Sequence, residues 1–213
     1  MPGVICVYLT GRLNPGVGPH DVALALVGAT YANGYVKNKV MEFVGPGVAS
    51  LSADCRNGID CMTTETTCWS SIWQTDGVTE EYLAGHGRAN AYKELKPADV
   101  AYYDGCIELD LSKIECMIAL PMHPSYAYPI RELKANAKDL LHEIETRANE
   151  QLSGKVKMDL VSKVRADAAF MWIEGIVAGC SGGTYENLCA VADIPARQEL
   201  RQRRVQVQRL PGQ

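Results

Sequence analysis

The sequence predicts an α/β layered fold, and three observations carry that expectation. Val4 to Leu9 is a short apolar run stopped at Gly11, Asp21 opens a stretch with apolar residues at helical spacing, and Met41 to Val44 is a second apolar run before a Gly-Pro-Gly turn. Strand, loop, helix, strand and helix in that order define alternating layers. With 213 residues, 47% hydrophobic and 22% charged, the chain has the composition of an ordinary globular protein and enough length to bury a core.

The elements follow in order. Asn14-Pro15-Gly16-Val17-Gly18-Pro19 reads as a rigid loop after the first strand. The first helix, from Asp21, places Val22, Ala25, Leu26 and Ala29 on one face. Gly45 and Gly47 around Pro46 suit a sharp turn. The helix after it takes Asp54 or Asn57 as its cap, and Ile59, Met62, Thr63 and Thr66 fall on one side. Glu65 lies in that predicted helix, with no Lys or Arg between Asn57 and Arg88 to neutralise it along the sequence. Two readings stand for it: a solvated surface carboxylate, or one placed for proton transfer, which burial would tune.

Further on, Glu80 to Leu83 and Ala89 to Leu95 read as short helices, the second broken by Pro97, and Ile107 to Leu111 as a half-buried strand. Arg88 is a candidate for gripping a carboxylate, or a plain surface arginine. His86 and His123 lack a spaced partner and are not expected to be ligands. Pro121, Pro124 and Pro129 exclude a helix and an interior strand. Ile130 to Gln151 is an amphipathic helix with Leu133, Ala137, Leu140, Leu141 and Ile144 inward. Ala168 to Ala178 reads as a buried strand, with Glu174 unplaced, and leads into the glycine-rich turn Gly179-Cys180-Ser181-Gly182-Gly183. Cys180 is either a small residue filling that turn or a thiolate at a helix amino terminus.

No run of about eighteen apolar residues and no basic-then-apolar leader is readable, so a cytoplasmic protein with no membrane partner is expected. The eight cysteines are too scattered for a disulfide scaffold and are expected to be reduced, with Cys55, Cys61 and Cys68 serving as packing. Pro195 to Gln213 holds five arginines and one glutamate, a net +4, which leaves −8 for the rest of a chain of net charge −4. An acidic body argues against nucleic acid as a partner, although the basic tail by itself would suit RNA or an acidic protein.

Gly45-Pro46-Gly47, Ser50, Ser52 and Glu65-Thr66-Thr67 together resemble the signature of the aconitase and isopropylmalate isomerase superfamily, most closely its aconitase-like hydratases. Leu9-Thr10-Gly11, Gly87-Arg88, Tyr103-Asp104, Ala178-Gly179-Cys180 and Tyr185-Glu186 follow in the family's order, so the resemblance covers roughly residues 4 to 194. It implies a three-layer α/β/α aconitase-type domain over 1–128 carrying Glu65, a helical linker over 129–166, and the start of a second such domain over 167–194 carrying Cys180. Residues 195–213, where the family's pattern stops, are expected to be an aberrant, disordered basic tail. The implied activity is dehydration and rehydration of a hydroxy di- or tricarboxylate such as citrate or isocitrate. Glu65 would assist proton or hydroxyl transfer, and Cys180 would be one of three thiolate ligands of a [4Fe-4S] cluster whose open iron binds substrate.

The chain departs from that pattern in three places. Met1 falls where relatives are already inside a domain, and their upstream Asp-Ser-His motif is absent. The glycine-rich turn lacks the family's asparagine, and no downstream Cys-x-x-Cys pair supplies the other ligands. Past Asp193-Ile194 the family's continuation stops; one permitted codon choice for the tail, read one base later, encodes LRGKSCGNGEFKFSVYPA, which is similar to it. The expectation is therefore an internal fragment, inactive alone and binding no cluster alone, with a possible complementary chain supplying the missing segments. The alternative is a non-catalytic partner or scaffold subunit docking on a separately encoded remainder.

Overall fold

Strand β1, Val4–Thr10, occupies the interior of a four-stranded parallel sheet because every inward residue of its alternating run is apolar. The computed structural model describes residues 1–153, 155, 157–164 and 178–197. After β1 come α1 (Pro19–Thr30), β2 (Val40–Val44), α2 (Ala53–Cys61), β3 (Ser70–Trp73), α3 (Gly77–Gly85) and β4 (Gly105–Asp110). A hairpin of β5 (Met117–Ala119) and β6 (Ala127–Pro129), then α4 (Ile130–Gln151) and α5 (Tyr185–Arg197), complete the order. The sheet runs β3-β2-β1-β4, with Val7 opposite both Phe43 and Ile107. This is the expected α/β fold.

Ile5, Val7, Leu9, Met41 and Phe43 form one face of the sheet and pack against Val22 and Leu26 of α1 and Cys55 and Ile59 of α2. Each fully buried side chain of this size contributes about 1.5–3 kcal/mol, so this layer outweighs any single polar contact. On the opposite face Tyr8, Ile72, Cys106 and Glu108 remain exposed.

α1 starts two residues before Asp21, with Pro19 in its first turn. Asp21 accepts from Gly18 N at 2.7 Å, closing a cap, while its second oxygen accepts from Met117 N at 2.6 Å and so hooks the hairpin to the helix. Burial is broader than the expected face: Ala23, Leu24 and Val27 are also buried, whereas Ala29 is exposed. The reason is tertiary, since Ala23 and Leu24 pack with Met62 against Met117, Ala119 and Ala127 of the hairpin.

The Gly-Pro-Gly turn ends β2 because nothing larger fits. Gly45 has φ +100°, and a Cβ there would stand 2.6 Å from Leu9 O; at Gly47 it would meet the Leu9 carbonyl carbon at 2.8 Å. The expected helix over Ala89 to Leu95 is reduced to one 3-10 turn, Ala89–Ala91. Leu95 instead pairs with Thr75, donating to its Oγ1 at 2.7 Å and accepting from its N at 2.8 Å, which removes the backbone groups a helix needs. α4 matches its expected range and buries Leu133, Ala137, Leu141 and Ile144 against Leu120, with a break in helical geometry at Asn136. The expected strand Ala168 to Ala178, save Ala178 itself, and Glu174 lie outside the described residues, as does the tail beyond Arg197; α5 itself continues through Pro195. No described helix is long and apolar enough to cross a membrane.

One ion pair fixes the inter-helix geometry. Arg56, 5% exposed, donates to Asp76 Oδ1 and Oδ2 at 2.9 and 2.7 Å, to Thr79 Oγ1 at 3.2 Å and to Val48 O at 3.0 Å. Asp76 also caps α3 through Val78 N and Thr79 N. Burial pushes the Asp76 carboxyl up, but Arg56 and the two backbone N–H groups outweigh it and leave it below its ordinary 3.8.

Replacing Arg56 by Met is expected to cost about 3 kcal/mol, the low end for breaking a buried pair because Asp76 keeps some water contact; equilibrium urea unfolding reads it. The folded Asp76 holds its proton less tightly than the unfolded one, so its contribution is complete above about 3.8 and fades as pH falls through the lower folded value. Urea midpoints of the native chain should therefore drop more steeply below that point than those of the Arg56→Met variant.

Candidate functional site

α2 organises both ends of the candidate site. Its cap is Ser52, whose Oγ accepts from Cys55 N at 3.0 Å, and neither Asp54 nor Asn57 as expected. Asp54 serves elsewhere: its Oδ2 accepts from Glu186 N at 2.8 Å, at the start of α5. Glu186 in turn accepts from Ser52 Oγ at 2.6 Å. One turn before the end of α2, Gly58 O accepts from the buried Ser181 Oγ at 2.9 Å, and Ser181 also meets His20 Nδ1 at 3.2 Å. At the last residue stands Cys61, toward the Cys180 end of that segment. Residues 180–186 therefore run antiparallel along α2, Cys180 at its carboxyl end and Glu186 at its amino end.

Glu65 does not continue that helix. α2 stops at Cys61, and Thr63–Thr66 form a 3-10 turn closed by Thr67 in the left-handed region, φ 65°. The hydroxyls explain the change: Thr63 Oγ1 donates to Asp60 O at 2.8 Å and Thr66 Oγ1 to Thr63 O at 2.6 Å, which diverts carbonyls from helical continuation. Thr63 and Thr66 are buried on the expected face, and Glu65 points outward, exposed. Beneath the turn Asp60 Oδ1 accepts from Ser71 Oγ and from Trp73 Nε1, the latter at 3.1 Å.

The structure thus lays the Cys180 turn, through Ser181 on Gly58 O, along the last turn of α2, and Glu65 follows four residues after that helix ends. Cys61 is exposed there and is not the packing residue expected. Its thiol is raised by burial first, then by Cys180 and Asp60. Cys55 does pack, and burial followed by Glu186 pushes it up to about 12. Arg88 is exposed after α3, and His86 meets Tyr82 O at 2.7 Å. Sequence reasoning missed His20, Asp60 and Ser181; Ser52 carried a readable cap signal, a serine directly before the helix.

At the amino end of α2, beyond the carboxyl ends of β1 and β2, lies a cavity of about 710 Å³ lined by Val17, His20, Ser50, Ser52, Glu186 and Asn187 among others. Open parallel sheets commonly place ligands on this side. The cavity reaches Cys55 in the first turn of α2, and six residues, roughly 9 Å at 1.5 Å per residue, separate that point from Cys61. Among the described residues no group of three His, Cys, Asp or Glu side chains converges as a metal site. A cluster with one open iron takes three thiolates, and Cys61 is the thiol at the α2 end toward which the Cys180 turn is laid.

A parallel sheet in β3-β2-β1-β4 order, with its polar residues gathered at helix ends, places the chain among α/β proteins whose chemistry is built at the ends of elements. More specifically, the chain belongs to the aconitase family (aconitate hydratase), whose family model matches residues 1–212. It is 28% identical over 201 residues to the mitochondrial aconitate hydratase of Saccharomyces cerevisiae, covering 91% of this chain and 22% of that protein. It is 27% identical over 194 residues to the 2,3-dimethylmalate dehydratase large subunit of Eubacterium barkeri, covering 91% and 38%. With the 3-isopropylmalate dehydratase large subunit of Clostridium kluyveri it shares 35% over 133 residues, 62% of this chain and 31% of that one. The chain thus spans between 22% and 38% of the length of these relatives.

Substituting Ser52 by Ala removes the α2 cap and the tie to Glu186 together. The cap alone is worth about 1 kcal/mol, so urea unfolding should show at least that loss, with faster amide exchange across 180–187.

Proposed function

We propose that this chain is the Glu65-bearing α/β part of a hydro-lyase that removes and re-adds water on a hydroxy di- or tricarboxylate such as citrate or isocitrate. The observation that carries this reading is the docking of the Cys180 turn, through Ser181 Oγ on Gly58 O at 2.9 Å, on the last turn of α2, whose end lies four residues before Glu65. Dehydration takes a proton from a carbon beside a carboxylate and a hydroxyl from its neighbour. Glu65 suits that work as the exposed carboxyl of a turn whose Thr63 and Thr66 hydroxyls are already committed. The small-carboxylate substrate class comes from the names of the relatives, which are carboxylate-processing hydratases.

Members of this family generally use a [4Fe-4S] cluster. Cys180 as the one candidate ligand, with no Cys-x-x-Cys pair in the sequence, leads to the proposal that the chain alone binds none and is inactive, and that a complementary chain supplies the remaining ligands. In this reading residues 1–128 are one unit, 129–166 a linker and 167–194 the start of the next, in a cytoplasmic setting that keeps the thiols reduced. A scaffold role is favoured instead by the accessible sheet face bearing Tyr8, Ile72 and Glu108, since parallel sheets are normally covered on both sides.

Anaerobic treatment of the purified chain with ferrous iron, sulfide and reductant should give neither four-iron absorption near one cluster per chain nor hydration of an unsaturated tricarboxylate. Co-expression with a polypeptide carrying the remaining family segments should restore both, and Glu65→Gln in that pair should slow turnover at least roughly 100-fold. Turnover by the chain unaided would sink the fragment reading, and full activity of the Glu65→Gln pair would leave the scaffold role.

A further inference from the structure

We propose that the cleft at the amino end of α2 binds a small organic cation, an alkylammonium whose apolar chain fills the larger of two neighbouring cavities and whose charged head sits in the smaller. The larger, about 710 Å³, has the size of a small-molecule site and is walled by Leu13, Val17, Leu51 and Val191 among others. It is built by the loops that follow β1 and β2, the side on which open parallel sheets bind ligands. The smaller, about 330 Å³, takes Asp54, Glu81, Tyr82 and Tyr185 from α2, α3 and α5. Ser52 and Glu186 line both, so the two spaces adjoin along these side chains.

The charge of the ligand follows from what surrounds it. Neither lining holds a Lys or an Arg. The histidines there are already engaged, His20 Nδ1 with Ser181 Oγ at 3.2 Å and His86 Nδ1 with Tyr82 O at 2.7 Å. A helix amino end favours negative charge, but Asp54 and Glu186 already supply it, Asp54 accepting from Glu186 N at 2.8 Å and Glu186 from Ser52 Oγ at 2.6 Å. A further anion would meet carboxylates with no counter-charge. Among the described residues none of Asp54, Glu81 and Glu186 forms an ion pair, so their charge is available to a cation.

The smaller cavity also has the aromatic surface that ammonium groups seek. Tyr82, whose ring leans on His86 with centroids 4.3 Å apart, and Tyr185 are both exposed, which leaves ring surface open to a cation. The apolar walls of the larger cavity then select a ligand with a hydrocarbon chain over a bare ammonium ion. A di- or tricarboxylate is the ligand these cavities disfavour. The site uses neither Glu65 nor Cys180 and stands or falls apart from the hydro-lyase reading.

The full chain is titrated calorimetrically with n-hexylammonium chloride at neutral pH and low salt, with n-hexanol, methylammonium and sodium citrate as separate arms. Saturable binding of one hexylammonium per chain is expected, roughly tenfold or more tighter than hexanol and weakened by added salt. Amide exchange should slow at 50–55 and 185–191, and citrate should not saturate. Glu186→Gln should weaken binding roughly tenfold, Val17→Trp should erase the advantage of hexylammonium over methylammonium by filling the larger cavity, and Glu94→Gln, in an exposed pair with Lys96, should bind as the native chain does. Hexanol binding as tightly as hexylammonium, citrate binding more tightly, no saturation with hexylammonium, or a Glu186→Gln variant that binds as the native chain does would each overturn the proposal. Should Glu186→Gln fail to fold, Glu81→Gln, an exposed change on α3, takes its place with the same expected loss.

Discussion

The geometry of this molecule depends on one buried guanidinium. Arg56 reaches from the middle of α2 to the carbonyl of Val48, just past the Gly-Pro-Gly turn, and to Asp76, which caps α3. Burying a charge is costly, and the pair is sustained because both carboxylate oxygens and a carbonyl accept from it at once. Its consequence is positional. α2 is held between a turn that cannot move, since Gly45 and Gly47 lie against the β1 backbone, and a helix whose start is set by the same carboxylate.

A helix fixed in that way becomes a ruler for the segment laid along it. At one end Ser52 donates to Glu186 and Asp54 accepts from its N–H, and near the other Gly58 accepts from Ser181. Polar contacts of this kind contribute modestly one by one, about 1 kcal/mol each, with more for those to charged groups. Their value is in register, because a slip of one helical turn would break them together. The carboxyl end of α2 thereby gathers Glu65, Cys61 and Cys180, while the amino end opens on the cavity beside His20 and Ser50.

The Thr-rich turn shows how the same hydroxyls serve two purposes. Thr63 and Thr66 are buried, yet their polar atoms are satisfied by carbonyls a few residues back, so burial carries no penalty for an unpaired hydroxyl. Stopping the helix there turns Glu65 outward. Asp60, Ser71 and Trp73 brace the turn from below and join the end of α2 to β3.

Much of this was legible in the chain itself. Apolar runs marked β1 and β2, alternation marked β4, helical spacing marked the inward residues of α4, and the glycines around Pro46 marked the turn, because each depends on neighbours a few positions away. The order of Gly45-Pro46-Gly47, Glu65 and Cys180 pointed to the family. β3 escaped notice because Ser70-Ser71-Ile72-Trp73 has little apolar signal; it exists through pairing with β2. The helix expected over Ala89 to Leu95 gave way to a pairing with Thr75, and the wider burial of α1 came from a hairpin distant in sequence. Only the tertiary structure could decide that Ser181 settles on Gly58 O and that Arg56 finds Asp76. Local backbone preference sets an element's type and span, whereas contacts between distant side chains follow from how layers of given volume pack.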